Sequence, residues 1–221
     1  MIVKMLMIGA SGVGKTHNCV KIAKAVGGHL IDVDNKAIEI IQKLGADDIV
    51  KRLDGTPFNV FLKSLEESID SDTPMIIIDS LTELKDIIKR HVKNKIINKG
   101  EFWIGGVERH ETTKVDPDLF VVTWELHPII YDKIRDIMKE INSSKKSYIV
   151  TYHPPIQQAS KGDIQMLNEL KRINNMTVSV NEDTIIIKND VFLNKKGEMP
   201  VDEFIDYVQS LLKANHIKEL M

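Results

Sequence analysis

The sequence predicts a three-layer α/β fold built on a mostly parallel sheet. Three observations carry that prediction. An apolar run at 2–8 enters a glycine loop and then a helix-forming segment, strand-like and helix-like segments go on alternating behind it, and Met75-Ile76-Ile77-Ile78 is apolar at every position. A strand apolar on both faces has no solvated side, so it belongs inside a parallel sheet covered by helices. The 221 residues suit one domain of this kind, spanning 1–221.

Taken in order, residues 2–8 read as a buried strand and 16–26 as a helix closed by Gly27-Gly28. A strand at 29–33 precedes a helix at 35–44, where Ile38, Ile41 and Leu44 share a face and Gly45 is the stop. A strand at 49–53, a helix at 58–69 and the turn Ser71-Asp72-Thr73-Pro74 lead into the apolar strand at 75–78. After a helix at 81–91 the periodicity is lost, and Gly100, Gly105, Gly106 and Pro117 mark an excursion from the sheet at about 92–124. A long helix at 125–141 and a strand at 147–151 follow. His153-Pro154-Pro155 ends that strand, because proline cannot donate to a sheet ladder. The last third reads as a short helix near 164–173, a β-hairpin at 176–180 and 184–187, a turn at Asn194-Lys195-Lys196-Gly197, and a final helix at 201–214.

Composition limits the partners. Apolar residues make up 43% of the chain, and 30 Lys and Arg stand against 32 Asp and Glu, so no global charge draws it to nucleic acid or anionic lipid. Any DNA contact must come from a local patch. The single Cys19 cannot form an internal disulfide, and no Cys/His cluster has zinc-ligand spacing, which fits a reducing compartment. The run at 2–8 is too short for a signal peptide and no stretch reaches membrane-span length, so a cytoplasmic protein is expected.

The octet Gly9-Ala10-Ser11-Gly12-Val13-Gly14-Lys15-Thr16 satisfies G-x-x-x-x-G-K-[ST] without substitution. It follows an apolar strand and opens a helix, the setting in which backbone N–H groups and a helix N-terminus face phosphates. Lys15 would reach the β- and γ-phosphates of ATP, Thr16 would ligate Mg²⁺, and His17 closes the nucleotide-contacting stretch. The bland alternative is a glycine turn that binds nothing. Asp79, at the end of the apolar strand, is the expected second Mg²⁺-positioning group; its alternative is a helix cap, a part that suits Ser80 better.

Four segments resemble the RecA-like branch of P-loop ATPases, and in particular the small RecA-core proteins of phages and archaeal viruses linked to single-strand annealing and recombination. They are the octet, Leu30-Ile31-Asp32-Val33-Asp34, Ile76-Ile77-Ile78-Asp79-Ser80-Leu81-Thr82-Glu83, and Ile149-Val150-Thr151-Tyr152-His153. The resemblance implies that Asp34 stands where a glutamate usually orients and deprotonates the attacking water, with Asp32 as the alternative. It places His153, with Thr151, where a polar side chain senses the γ-phosphate. It also implies a homo-oligomer, a trans-acting cation for which Lys188, Lys161 and Arg172 are candidates, and single-stranded DNA contacts through about 85–123 and 154–163. The first of those segments opens with Lys85, Lys89, Arg90, His91, Lys93, Lys95 and Lys99, followed by Phe102 and Trp103. Cations track phosphates and aromatics stack on bases, although a solvated helix face explains the same charges, and Glu108, Glu111, Asp116 and Asp118 oppose a DNA backbone. Trp124 is expected to anchor the first turn of the long helix.

Other classes stay open. A nucleotide or small-molecule kinase commonly wraps phosphates in arginines, and this chain has only Arg52, Arg90, Arg109, Arg135 and Arg172, widely spaced. A GTPase would carry Asn-Lys-x-Asp, whereas Asn194-Lys195-Lys196-Gly197 lacks the Asp. An ATP-gated binding module with little turnover is the third, since Asp34 is one methylene shorter than a glutamate.

Overall fold

Strand periodicity explains the layers. In the computed structural model, which describes residues 2–52, 58–99, 101–104, 107–110, 123–154, 161–181, 184–192 and 196–219, Met5 and Met7 of β1 (Lys4–Ile8) face one side and Leu6 the other. The alternation repeats along β2 (His29–Asp32), β4 (Met75–Asp79) and β7 (Ser147–Tyr152), so Leu30, Ile77 and Ile149 join the first side and Ile31, Ile76, Ile78, Tyr148 and Val150 the second. The first core is closed by α1 (Lys15–Val26), α2 (Ile38–Leu44) and α7 (Val201–Glu219). The second is closed by α3 (Phe58–Asp70), α4 (Leu81–Lys99), α5 (Thr123–Ser143) and α6 (Lys161–Ile173). This is the expected three-layer sandwich.

The remaining strands are β3 (Val50–Arg52), β8 (Met176–Asn181), β9 (Thr184–Asp190) and β10 (Gly197–Pro200), together with a separate hairpin of β5 (Glu101–Ile104) and β6 (Val107–His110). The main sheet has eight strands in the order β10-β9-β8-β1-β7-β4-β2-β3. All neighbours from β8 to β3 are parallel, and β9 and β10 add antiparallel ladders. β1 is thus central, flanked by β7 and β8, and the chain reverses direction across the sheet beside it. Such reversals leave a crevice at the carboxyl ends of the strands.

Ile77 on β4 is fully buried between two other parallel strands. Removing one methylene there, as Ile77→Val, should destabilise the fold by about 1 kcal/mol. Urea unfolding would read this as a lower midpoint at unchanged slope.

Several elements differ from expectation. The C-terminal hairpin is part of the main sheet: β8 pairs in parallel with β1, β9 runs on to Asp190 past the expected end at 187, and an unexpected edge strand, Gly197–Pro200, begins at the last residue of the expected turn. Pro200 is tolerated because an edge strand leaves one side unpaired. α4 continues to Lys99, beyond the expected stop at His91, and the excursion contains the β5–β6 hairpin. α2 starts at Ile38, since Asn35 adopts φ 56° and the Ala37 N–H is bound by Asp32 Oδ2 at 3.0 Å. Residues 111–122 and 155–160, and the side chains of Phe102, Trp103, Trp124 and Lys161, lie outside the described residues.

Candidate nucleotide and metal site

The glycine octet turns at the carboxyl end of β1 into the first turn of α1. Gly12 and Gly14 have φ of 84° and 88°, a region that side-chain-bearing residues rarely adopt, and Gly14 caps the helix in that conformation. Gly9 is required by space: a Cβ there would lie 2.9 Å from Val13 Cγ2 and 3.3 Å from the Val180 carbonyl oxygen. The loop is therefore held against β8 as well as seated on β1. Lys15 is buried, and its ammonium donates to the Gly9 carbonyl at 2.8 Å and to the Ala10 carbonyl. Burial pulls its pKa down, while Asp79 opposes the shift. Ser11 lies at the mouth of the crevice, whereas His17 sits on α1 near Lys21, and burial lowers its pKa.

Three carboxylates converge beside the loop. Asp32 and Asp79 are register partners at the ends of adjacent strands, and Asp34 follows two residues later. Each of the three offers an oxygen, and these oxygens lie within 4.8 Å of one another. Asp79 accepts a hydrogen bond from Thr151 Oγ1 and interacts with the Thr16 hydroxyl. Its other oxygen, Oδ2, is buried and has no hydrogen-bond partner among the described residues. Burial raises the pKa of Asp79 against those hydrogen bonds, and Asp34 adds to the rise. The Asp79-Ser80 peptide bond is cis. Ser80 caps α4, its hydroxyl accepting the Glu83 N–H at 3.2 Å.

Asp32 is fully buried, and burial lifts its carboxyl to about 7; the Ala37 N–H works against this lift, and the charges of Asp79 and Asp34 reinforce it. The sign follows. Between the usual carboxylate range and about 7, the folded chain holds a proton that the unfolded chain has released, so stability from this group falls as pH rises through that window and stays low above it. Asp32→Asn should flatten this slope in metal-free buffer and raise the melting temperature at pH 8. For a chain of this size the gain is roughly 2–4 °C per kcal/mol recovered. A slope unchanged by the substitution would assign it to another group.

Asp34 faces a crevice of about 410 Å³ lined by Ser11, Lys36, Ser80, Thr82, His153 and Lys85, among others. Lys36 Nζ sits 3.0 Å from Asp34 Oδ2, with the Asp34 side chain 7% exposed and that of Lys36 68% exposed. His153 is at the same crevice. Its backbone N–H donates to Thr82 Oγ1 at 3.0 Å, and its ring Nδ1 is buried without a partner among the described residues. Burial and the charge of Lys15 lower its pKa. Cys19 is buried against Met7, and burial pushes its thiol pKa up, leaving it unreactive.

Sequence reasoning had singled out Asp32, Asp34, Asp79, Thr151 and His153, and had given no role to Thr82 or Lys36. A lysine two residues past a strand-end Asp carries no pattern of its own, and only the left-handed Asn35 turns it back over the carboxylate. Of the candidate trans cations, Lys188 and Arg172 are exposed on β9 and α6, and the Lys161 side chain lies outside the described residues. Of the basic residues expected to meet DNA, Lys85 is engaged by Asp163 and stands 5.9 Å over the Tyr131 ring, and Arg90 lies 3.8 Å from Glu83.

The sheet order, the two helical layers and the loop at the end of the central strand define a RecA-like α/β fold. The chain is similar to a KaiC-like protein from the hyperthermophilic archaeon Pyrococcus horikoshii OT3, with a TM-score of 0.54 and 12% identity over 90% of this chain and 84% of that one. At that identity the likeness concerns the fold. No protein-family model matches the chain, and no curated protein matches it. No helix among the described residues is long and apolar enough to cross a membrane.

Proposed function

We propose that the chain binds ATP with Mg²⁺ on the loop at 9–16 and hydrolyses it. The observation that carries this reading is the meeting of Lys15, Thr16 and Asp79 at the carboxyl ends of β1 and β4, beside a glycine loop with no room for a Cβ at Gly9. Hard oxygen donors and the buried, unpartnered Asp79 Oδ2 fit Mg²⁺, which Thr16 and Asp79 would hold; when bound it neutralises charge on the phosphates.

The chain's own residues do the rest. Backbone N–H groups of residues 11–16 bind the phosphates, and Lys15 leaves its own loop carbonyls to pair with the β- and γ-phosphates. Asp34 orients a water in the crevice and accepts its proton as the water oxygen bonds to the γ-phosphorus and the bridge to ADP breaks. His153, beside that position, reports the loss of the γ-phosphate to residues 155–160 through the backbone that Thr82 grips.

Single-stranded DNA is our proposed coupled ligand, bound by an oligomer acting in recombination or annealing. That reading is supported by the four segments that resemble those of phage and archaeal-virus RecA-core proteins and by Lys89 and Arg90, exposed on α4. Lys85 contributes less, being tied to Asp163. The test is hydrolysis measured with and without single-stranded DNA, alongside ATP-dependent DNA retention. Stimulation of several-fold supports it; ATP turnover that no DNA alters and no DNA retention removes the recombination role.

A further inference from the structure

We propose that Asp32, Asp34 and Asp79 form a divalent-cation site that fills without nucleotide. Its ligands are three carboxylates, in contrast to the hydroxyl, phosphate and carboxylate set expected for the Mg²⁺ that accompanies ATP. The fold creates it directly. β2 and β4 are adjacent and parallel, Asp32 and Asp79 are partners in their register, and the turn at Asn35 keeps Asp34 beside them. Neighbouring strands lie about 4.8 Å apart, so register partners put their side chains level on the same face.

Acid clusters are common, but this one holds two deeply buried oxygens with nothing to accept from. Asp32 is 0% and Asp79 1% exposed, and Asp32 Oδ1 and Asp79 Oδ2 have no hydrogen-bond partner among the described residues. Of the nearby cations, Lys15 is committed to the Gly9 and Ala10 carbonyls, and Lys36 reaches the cluster at its outer member, Asp34 Oδ2. Buried carboxylates are tolerated when paired or when they ligate a metal. Lys36 is exposed at its own end, so exchanging its ion pair for a metal bond costs little.

The donor set selects the ion. Carboxylate oxygens suit Ca²⁺, Mg²⁺ and Mn²⁺. Oxygens on opposite sides of Ca²⁺ stand about 5 Å apart, and those around Mg²⁺ about 4 Å apart. The oxygens here all lie within 4.8 Å of one another, inside the span of a Ca²⁺ shell. The larger, more flexible shell accepts oxygens anywhere within that bound, whereas Mg²⁺ demands near-ideal octahedral geometry and sheds its water reluctantly. Ca²⁺ should therefore bind better than Mg²⁺ at this site.

The experiment uses the full chain, stripped with EDTA and free of nucleotide, titrated with Mn²⁺ while the free-ion electron paramagnetic resonance signal is followed. About one Mn²⁺ should bind per chain and be displaced by Ca²⁺ more readily than by Mg²⁺. Asp32→Asn should weaken binding at least tenfold while the chain stays folded by melting; if that variant does not fold, Asp79→Asn serves. Lys15→Ala should bind Mn²⁺ at least as tightly as the wild type, because a neighbouring positive charge has gone. No binding up to millimolar Mn²⁺, or Mn²⁺ held only with ATP present, overturns the proposal. So does wild-type affinity in both Asp variants. A chain that binds Mn²⁺ in this way but never binds ATP would sink the ATPase reading and leave this site standing.

Discussion

Lys15→Ala is expected to lower ATP hydrolysis by about 10²–10³-fold, the range lost when one preorganised donor to developing charge is removed. ATP affinity should fall with it, because the ammonium is the one cation placed inside the loop. The fold should survive. The Lys15 side chain is buried and its ammonium is satisfied by two loop carbonyls, so the variant loses two hydrogen bonds but also a desolvated charge. Steady-state turnover, titration calorimetry with ATP and a melting curve check the three statements separately. Turnover within a few-fold of wild type would place the phosphates somewhere other than this loop.

Asp34→Ala should separate binding from chemistry. Loss of a positioned base costs about 10²–10⁴ in rate, and Asp34 lines the same crevice as Ser11 of the loop proposed to bind the phosphates without belonging to that loop, so the change should fall on kcat and leave ATP affinity within a few-fold. Quenched single-turnover reactions beside equilibrium binding resolve the two. Unchanged turnover moves the base elsewhere, and Asp32 is the next carboxylate in line. A salt-dependent loss of ATP binding instead would mean that Asp34 acts mainly by restraining Lys36, 3.0 Å away.

Much of this architecture was legible because the physics leaves local traces. Met75-Ile76-Ile77-Ile78 is buried at every position, as a doubly covered strand must be, and the spacing of Gly9, Gly12, Gly14 and Lys15 places glycine where the backbone takes φ near 85° or passes another chain segment too closely for a Cβ. What escaped was long-range or weakly coded. Gly197–Pro200 is four residues wedged between a turn-like Asn194-Lys195-Lys196-Gly197 and a helix, too short for an alternating pattern, and only pairing with β9 makes it a strand. Along α4, Leu84, Ile88, Val92 and Ile96 keep a four-residue apolar spacing past His91, but the lysines and asparagines that fill the tail between them hid the continuation. The meeting of Asp32 and Asp79 depends on two strands becoming neighbours in one register, which no window of sequence contains. Lys36 needed a left-handed Asn35, and asparagine permits that conformation without demanding it.

The central place of β1 has a consequence for the order of synthesis. β1, which precedes every other strand among the described residues, pairs with β7 and β8, through residues 148–152 and 176–179, and with no strand made in between. At about 5–20 residues per second, roughly 10–35 s separate the emergence of the glycine loop from that of its second wall. During that interval Met5, Leu6 and Met7 have no ladder partners, and the nascent chain holds an exposed apolar strand and an unassembled phosphate loop. ATP capture should accordingly be absent from ribosome-stalled chains that end before β8, and should appear only once its last residues have cleared the exit tunnel.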